Sequence, residues 1–137
     1  MKIYISGPFS TDPDGIFHND SGIMAENRRI AKEIGILLAK MGHEPYVPHT
    51  HLGGWENELS YEEIMRIHLT FIRDWADGLF FIGPSRGAII EKNEAEMLGL
   101  PVFRAIEDLQ RFSELISFQK LPPCRLSMQQ QLLAQLQ

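Results

Sequence analysis

Short β-type runs alternate with longer segments of helical periodicity along this chain, and this order restricts the fold more than any other feature. The strand-like runs occupy residues 2–6, 44–48, 79–82 and 101–103. The helical patterns occupy residues 23–41, 60–75, 88–98 and 106–118. Strands that alternate with helices of ten or more residues are typical of parallel sheets. We therefore predict an α/β fold, namely a single-domain, flavodoxin-like or Rossmann-like parallel sheet of about five strands with helices on both faces.

Local signals place the ends of several of these elements. Gly42 follows the helical pattern at 23–41 and is predicted to be its C-terminal cap. Ser60 precedes the next helical pattern, and Glu63 three residues later completes a capping-box signature. Residues 10–22 and 49–58 are predicted to be loops, and we expect the first of them to be a mobile loop over a site, because long loops in compact domains are usually functional or disordered.

The length of 137 residues is that of one domain with a substantial core. The pair Pro122 and Pro123 interrupts the chain after the last long helical pattern. We therefore predict a domain over residues 1–120 and a C-terminal tail over 121–137, with a short Gln-rich amphipathic helix at 128–136.

Composition excludes several classes of partner. The formal net charge is −5 and the 13 Lys and Arg residues form no basic stripe, so binding to long nucleic acid is not expected. No apolar run is long enough to cross a membrane. Cys124 is the only cysteine, which rules out an internal disulfide and suits a reducing cytosol. The polar N-terminus is predicted to be the first strand rather than a signal peptide, and we expect a cytoplasmic protein.

The stretch from residue 76 to residue 91 carries the clearest chemical signal. The run Phe80-Phe81-Ile82 is typical of a strand buried on both faces, and Gly83, Pro84 and Gly87 interrupt it before a helical segment. A strand that ends in a small-residue turn at a helix start leaves backbone N–H groups free to bind an anion. Glu91 follows about two turns into that helix, where a carboxylate can act on whatever carries the anion.

Two motifs extend this interpretation to a known family. The start Tyr4-Ile5-Ser6-Gly7-Pro8 and the later pattern Ser85-x-Gly87-x-x-x-Glu91-x-x-x-Ala95 resemble the nucleoside 2-deoxyribosyltransferase-like superfamily. That superfamily includes deoxyribosyltransferases and nucleoside 5′-monophosphate N-glycosidases. The resemblance covers roughly residues 2–105 and implies that residues 1–120 form a domain of this kind.

The resemblance also implies roles for individual residues. Glu91 matches the nucleophile that attacks the anomeric carbon of the sugar, and Tyr4 matches the tyrosine that orients this carboxylate. Ser85 and Gly87 match residues that contact the 5′-phosphate in the monophosphate-cleaving members. Gly7 matches a position where the backbone passes close to the sugar and phosphate. The chemistry agrees, because cleavage of a sugar–base bond passes through an oxocarbenium-like state that a carboxylate stabilises or captures.

Three further residues are candidates for substrate binding: Pro8, Arg86 and Asp77. Arg86 lies next to the predicted phosphate site, but it is equally compatible with a solvent-facing helix residue. Asp77 opens the apolar run before Gly83, and its plainer interpretation is a strand start or a partner of a backbone amide. Ser85 is likewise compatible with a helix N-cap alone.

The sequence departs from the family pattern where the base is recognised. Many deoxyribosyltransferases carry an acid in the turn that is Gly83-Pro84 here, and another on the preceding helix, where this chain has His68 and Leu69. The predicted function is hydrolysis of the N-glycosidic bond of a nucleoside 5′-monophosphate. The alternatives are exchange of bases by a nucleoside 2-deoxyribosyltransferase and a non-catalytic nucleotide-binding sensor module.

The expected partner is a small-molecule nucleotide or nucleoside, and no cofactor is expected. His49 and His51 suggest a metal site, but two histidines without a nearby carboxylate or cysteine are weak support, so no metal is predicted. The same pair is also compatible with loop contacts to the ligand. Members of the family often complete their pockets across a dimer interface, which implies a homo-oligomer.

Overall fold

The computed structural model of the chain describes residues 1–10, 21–52, 55 and 58–119. Strands and helices alternate through this part, as the sequence predicts. The strands are β1 (Lys2–Ser6), β2 (Glu44–Tyr46), β3 (Gly78–Phe81) and β4 (Val102–Phe103). The helices are α1 (Ser21–Lys40), α2 (Pro48–His51), α3 (Tyr61–Asp74), α4 (Arg86–Met97) and α5 (Ile106–Gln119).

The strands form one parallel sheet in the order β2-β1-β3-β4. In the central pair, Ile5 lies opposite Phe80 and Ser6 lies opposite Phe81. The chain moves from β1 outward to β2 and then crosses β1 to form β3, so the strand order reverses between β1 and β3. In open parallel sheets, ligands bind at the carboxyl edge beside such a reversal. We therefore expect a ligand site among the residues that follow β1 and β3.

The sheet contains four strands in the described part of the chain, so the prediction of about five strands was one too high. Each of the four strand-like runs in the sequence forms one of the four strands, and the segment after β4 forms α5, as its helical pattern predicts. The parallel α/β architecture itself agrees with the prediction.

Helices cover both faces of the sheet, and each face has its own core. The first core lies under α1 and α5, and its apolar side chains are Ile3, Ile5, Ala31, Leu38, Val47, Phe80, Phe103, Leu109, Phe112 and Ile116. The second core lies under α3 and α4 and includes Tyr4, Tyr46, Ile72, Leu79, Phe81, Ala88 and Ala95. Successive residues of β1 enter opposite cores, because side chains alternate across a strand.

The predicted helix signals are confirmed where the structure describes them. The Ser60 side chain accepts the Glu63 N–H at 3.1 Å, and the Glu63 carboxylate accepts the Ser60 N–H at 2.7 Å. This reciprocal pair is the predicted capping box. Gly42 follows α1 with a φ of 93°, a left-handed conformation that favours glycine at a helix end.

One predicted loop is partly wrong. Residues 48–51 form the short helix α2, so the second strand ends at Tyr46 instead of residue 48. Pro48 occupies the first turn of α2, where a missing N–H costs nothing because it would have no intrahelical acceptor. The tail at 121–137 and most of the loop at 10–22 lie outside the described residues. Among the residues that are described, no helix is long and apolar enough to cross a membrane.

Candidate active site

Strand β1 carries polar groups into the core beneath α3 and α4. Tyr4 and Ser6 are two residues apart, so both side chains lie on this face of the sheet. Both residues are completely buried. A buried hydroxyl needs a hydrogen-bond partner to offset the loss of water, so these two side chains require a polar group opposite them.

Helix α4 supplies that group. Ala88, Glu91 and Ala95 form the buried face of α4, at the spacing of three and four residues that places side chains on one side of a helix. The alanines allow the helix to lie close to the sheet, and Glu91, which is 5% exposed, reaches the polar end of β1. A carboxylate buried to this degree is rare unless it is paired.

The Glu91 carboxylate has a partner on each oxygen. The Tyr4 hydroxyl donates to Oε2, and the Ser6 hydroxyl donates to Oε1 at 2.7 Å. His68 of α3 places its Nδ1 atom 3.4 Å from Oε2. The four side chains therefore form one polar cluster, buried except for the partly exposed His68, to which β1, α3 and α4 each contribute.

Burial and the carboxylate keep the neighbouring phenols protonated. The pKa of Tyr4 is raised well above its usual value, first by burial and then by the charge of Glu91. The pKa of Tyr46, whose ring centroid is 5.5 Å from that of Tyr4, is raised to about 12 by the same two causes. Tyr4 thus keeps its proton at neutral pH, donates a hydrogen bond to Glu91 and holds the carboxylate in place.

His49 lies beside the end of β1. Its Nε2 atom is 3.0 Å from the carbonyl oxygen of Pro8, and its ring meets the Phe9 ring edge-on. Burial lowers the pKa of His49, although the Pro8 carbonyl and the Glu91 carboxylate both act in the opposite direction. Within the described residues, His49 Nδ1 and His68 Nε2 are buried and have no hydrogen-bond partner.

The amino end of α4 lies at the same edge of the sheet. Ser85 is its N-cap, and the Ser85 hydroxyl accepts the Ala88 N–H at 3.1 Å. Ser85 therefore has the capping role that its plainer interpretation predicted, which leaves its hydroxyl hydrogen free to donate to a ligand. The Arg86 guanidinium lies over the Tyr61 ring, 5.4 Å from its centroid.

Two glycines of the motifs have steric roles. A Cβ atom on Gly7 would lie 2.9 Å from Ile82 Cβ, so the turn after β1 passes the end of β3 too closely for a side chain. A Cβ atom on Gly87 would contact Met65 Sδ at 3.5 Å, an ordinary distance at the contact of α4 with α3. Gly7 is therefore the more tightly constrained of the two.

A cavity of about 270 Å³ opens at the carboxyl ends of β1 and β3. Its lining is mostly apolar and consists of Pro8, Asn27, Ile30, Ile82, Gly83 and Pro84. Pro8 lines this cavity, and its carbonyl oxygen also contacts the His49 ring. The predicted phosphate-binding turn before α4 forms one wall.

Asp77 does not belong to this group of residues. It precedes β3 and therefore lies at the amino edge of the sheet, opposite the edge that bears Glu91. Its carboxylate accepts the Lys2 N–H at 2.9 Å, and its own N–H donates to the Lys2 carbonyl at 2.7 Å. These contacts are the plainer interpretation of Asp77, a strand start whose side chain pairs with a backbone amide.

The histidines that suggested a metal site have separate surroundings. His51 stacks on Tyr46 with ring centroids 4.4 Å apart, and its Nδ1 atom is 2.7 Å from the Val47 carbonyl oxygen. His49 is held by Pro8 instead. No group of three or more potential metal-binding side chains occurs among the residues described.

Two members of the cluster were not assigned from the sequence. Ser6 carries a signal that was available, because it lies two residues after Tyr4 and must share its face of β1. His68 had no comparable signal, since its contact with Glu91 depends on how α3 packs on α4.

No family model matches this chain, and neither a curated protein nor a solved structure matches it. Its function is therefore inferred from its own residues and from the two motifs that they form.

Proposed function

We propose that this protein hydrolyses the N-glycosidic bond of a nucleoside 5′-monophosphate, with Glu91 as the nucleophile, and that it belongs to the nucleoside 2-deoxyribosyltransferase-like superfamily. The observation that carries the proposal is the buried Glu91 carboxylate held by Tyr4 and Ser6 at the carboxyl edge of the sheet. Burial of a charged group is costly and contributes little to stability, so a carboxylate in this position favours a catalytic role.

The surroundings of Glu91 suit the chemistry. One oxygen of the carboxylate forms a bond to the anomeric carbon while the bond from that carbon to the base breaks. The base leaves with the electron pair of the broken bond and takes a proton from solvent. Water then attacks the sugar–Glu91 ester at the anomeric carbon, loses a proton to solvent, and releases the sugar phosphate and the free carboxylate. Tyr4, which stays protonated, keeps the attacking oxygen in a fixed orientation.

The amino end of α4 offers a place for the phosphate. The first N–H groups of a helix have no intrahelical acceptor, and the positive end of the helix dipole favours an anion. Because Ser85 occupies the Ala88 N–H, the N–H groups of Arg86 and Gly87 remain directed out of the helix end. Glu91 lies less than two turns further along the same helix, so a nucleotide would be held at its phosphate and its sugar.

A specific observation favours the second candidate, a non-catalytic nucleotide-binding module. Both oxygens of Glu91 already accept hydrogen bonds, from Tyr4 and Ser6. Donors on a carboxylate lower its electron density and so oppose nucleophilic attack. In this alternative, Glu91 serves only to orient Tyr4 and Ser6 around a bound ligand.

Measuring free base after incubation with a panel of nucleoside 5′-monophosphates separates the two candidates. We expect the wild-type protein to release base from at least one of them, and Glu91→Gln to do so at least about a thousandfold more slowly. Glu96→Gln is the matched control, because Glu96 is an exposed acid of the same helix that pairs with Lys92. Release of base by Glu91→Gln at the wild-type rate, or no release from any nucleotide, contradicts the proposal.

A further inference from the structure

His49 presents a hydrogen-bond acceptor that none of the described residues uses. The Pro8 carbonyl oxygen 3.0 Å from His49 Nε2 can only accept, so Nε2 carries the ring hydrogen. Burial favours the neutral ring, in which the other nitrogen is then a bare acceptor. This Nδ1 atom is buried and has no partner among the described residues, and His49 as a whole is only 6% exposed.

His68 presents a second acceptor by the same reasoning. Its Nδ1 atom faces Glu91 Oε2 at 3.4 Å, where a lone pair opposite a carboxylate would be repelled, so Nδ1 carries the hydrogen. In the neutral ring, Nε2 on the far side is then a bare acceptor. This atom too is buried and lacks a partner in the described part of the chain.

The two acceptors belong to the cluster around Glu91. The Pro8 carbonyl that holds His49 comes two residues after Ser6, whose hydroxyl donates to Glu91, and the Glu91 carboxylate acts to raise the pKa of His49. The His68 ring also meets the Tyr4 ring edge-on, with centroids 6.2 Å apart. Buried acceptors are normally satisfied, which indicates that a ligand in this site donates hydrogen bonds to them.

We infer that the ligand of this site is a ribonucleotide rather than a 2-deoxyribonucleotide, and that hydroxyl groups of its ribose donate to His68 Nε2 and His49 Nδ1. This inference rests on the proposed function, because it places the sugar against Glu91. A nucleophile attacks the anomeric carbon from the side opposite the leaving base, so the groups beside the carboxylate face the sugar. The carbon next to the anomeric one carries a hydroxyl in ribose and only hydrogen in 2-deoxyribose.

Replacing a histidine by asparagine or glutamine tests the roles of its two ring nitrogens one at a time. The amide nitrogen of asparagine takes a position close to Nδ1 of histidine, so His68→Asn keeps a donor towards Glu91 and removes the Nε2 acceptor. The amide of glutamine reaches a position close to Nε2. His49→Gln therefore keeps the donor to Pro8 and removes the Nδ1 acceptor, and His68→Gln is the matched control that keeps a polar group at the Nε2 position.

The test measures binding of ribose 5-phosphate and of 2-deoxyribose 5-phosphate by calorimetry at about pH 8, above the usual titration range of histidine. We expect the wild-type protein and His68→Gln to prefer ribose 5-phosphate about fivefold to tenfold, the effect of about one hydrogen bond. His68→Asn should bind both compounds equally. His49→Gln removes the acceptor of a hydroxyl that both sugars carry, so it should bind both compounds about fivefold to tenfold more weakly and keep the preference for ribose 5-phosphate. Circular dichroism of each variant establishes that it is folded.

Equal or tighter binding of 2-deoxyribose 5-phosphate by the wild-type protein overturns the inference, as does a preference that survives His68→Asn. Failure of both sugar phosphates to bind overturns it as well. Base release is measured in parallel, so that failure of the ribose inference can be distinguished from failure of the proposed hydrolysis. Equal release from ribonucleotides and 2-deoxyribonucleotides defeats the inference alone, whereas a ribose preference without any base release supports the ribose site and defeats hydrolysis.

Discussion

The two faces of strand β1 differ in what they bury. Ile3 and Ile5 pack among the apolar side chains of the core under α1 and α5. Tyr4 and Ser6, the residues between and after them, enter the side under α3 and α4 and contact a carboxylate. A single five-residue strand thus supports an apolar core on one face and a polar cluster on the other.

The difference separates stability from function in this molecule. Apolar burial stabilises the fold without requiring particular partners, at about 25 cal/mol per Å². The polar cluster must satisfy each buried group, and replacing such groups by apolar ones is often neutral or stabilising. Under the proposed function, the polar cluster under α3 and α4 serves the reaction, and substitutions on the two faces should have different consequences.

The largest expected effect on stability lies on the apolar face. Phe112 of α5 is completely buried and meets the Phe103 ring edge-on, with centroids 5.3 Å apart. We expect Phe112→Ala to lower the free energy of unfolding by about 3–5 kcal/mol, because it removes apolar contacts and leaves a cavity. Urea denaturation measures this loss. Base release per folded molecule should be unchanged, and its loss in a protein that remains folded would erase the proposed difference between the faces.

Neighbouring residues of β1 provide the sharpest comparison. Tyr4→Phe removes the hydroxyl that orients Glu91, and we expect base release to fall about tenfold to a hundredfold, which corresponds to about 1.4–2.8 kcal/mol in the activation barrier. Ile5→Val, on the opposite face, should lower stability by about 0.5–1.5 kcal/mol and leave the rate unchanged. Steady-state kinetics and thermal unfolding of both variants test the pair. If Ile5→Val reduces the rate as much as Tyr4→Phe, the faces are not functionally distinct.

The smallest effect is a pH dependence from the polar side. The pKa of His49 is lowered in the folded protein, so between that lowered value and the usual value of about 6.5 the unfolded chain binds more protons. The corresponding stability is fully present above about pH 6.5 and is lost as the pH falls below it. Burial and then the charge of the neighbouring N-terminal amine lower the pKa of His43, which contributes with the same sign.

Thermal unfolding between about pH 7.5 and about pH 5.5 checks this expectation. We expect His49→Gln, which keeps an amide donor towards Pro8 but does not titrate, to lose less stability on acidification than the wild-type protein. His43→Gln, combined with it, should reduce the loss further. An undiminished loss in His49→Gln would show that the burial of His49 does not control the acid sensitivity.

Much of the fold follows from local signals in the sequence. The alternation of runs predicts the parallel α/β order, and short-range chemistry predicts the capping box at Ser60 and the cap at Ser85. The four-residue helix α2 was missed because so short a segment has no periodicity to detect. The strand number was overestimated because no fifth apolar run supports another strand in the described part of the chain.

The site was predictable only as far as its residues lie on one strand or one helix. Tyr4 and Glu91 were proposed through the motif resemblance, and strand alternation then implies Ser6. Asp77 was grouped with these residues, but it precedes β3 and therefore lies at the amino edge of the sheet, away from the edge where ligands bind in such folds. His68 depends on the contact between α3 and α4, which no local pattern determines.

The most direct test of the account is whether Glu91 becomes covalently bound to the sugar during turnover. Acid quenching of the wild-type protein during turnover of a nucleoside 5′-monophosphate, followed by peptide mass spectrometry, measures this. The account predicts a pentose phosphate adduct on the peptide that contains Glu91 and no adduct in Glu91→Gln. Base release that continues in Glu91→Gln, with no adduct on the wild-type peptide, would contradict it.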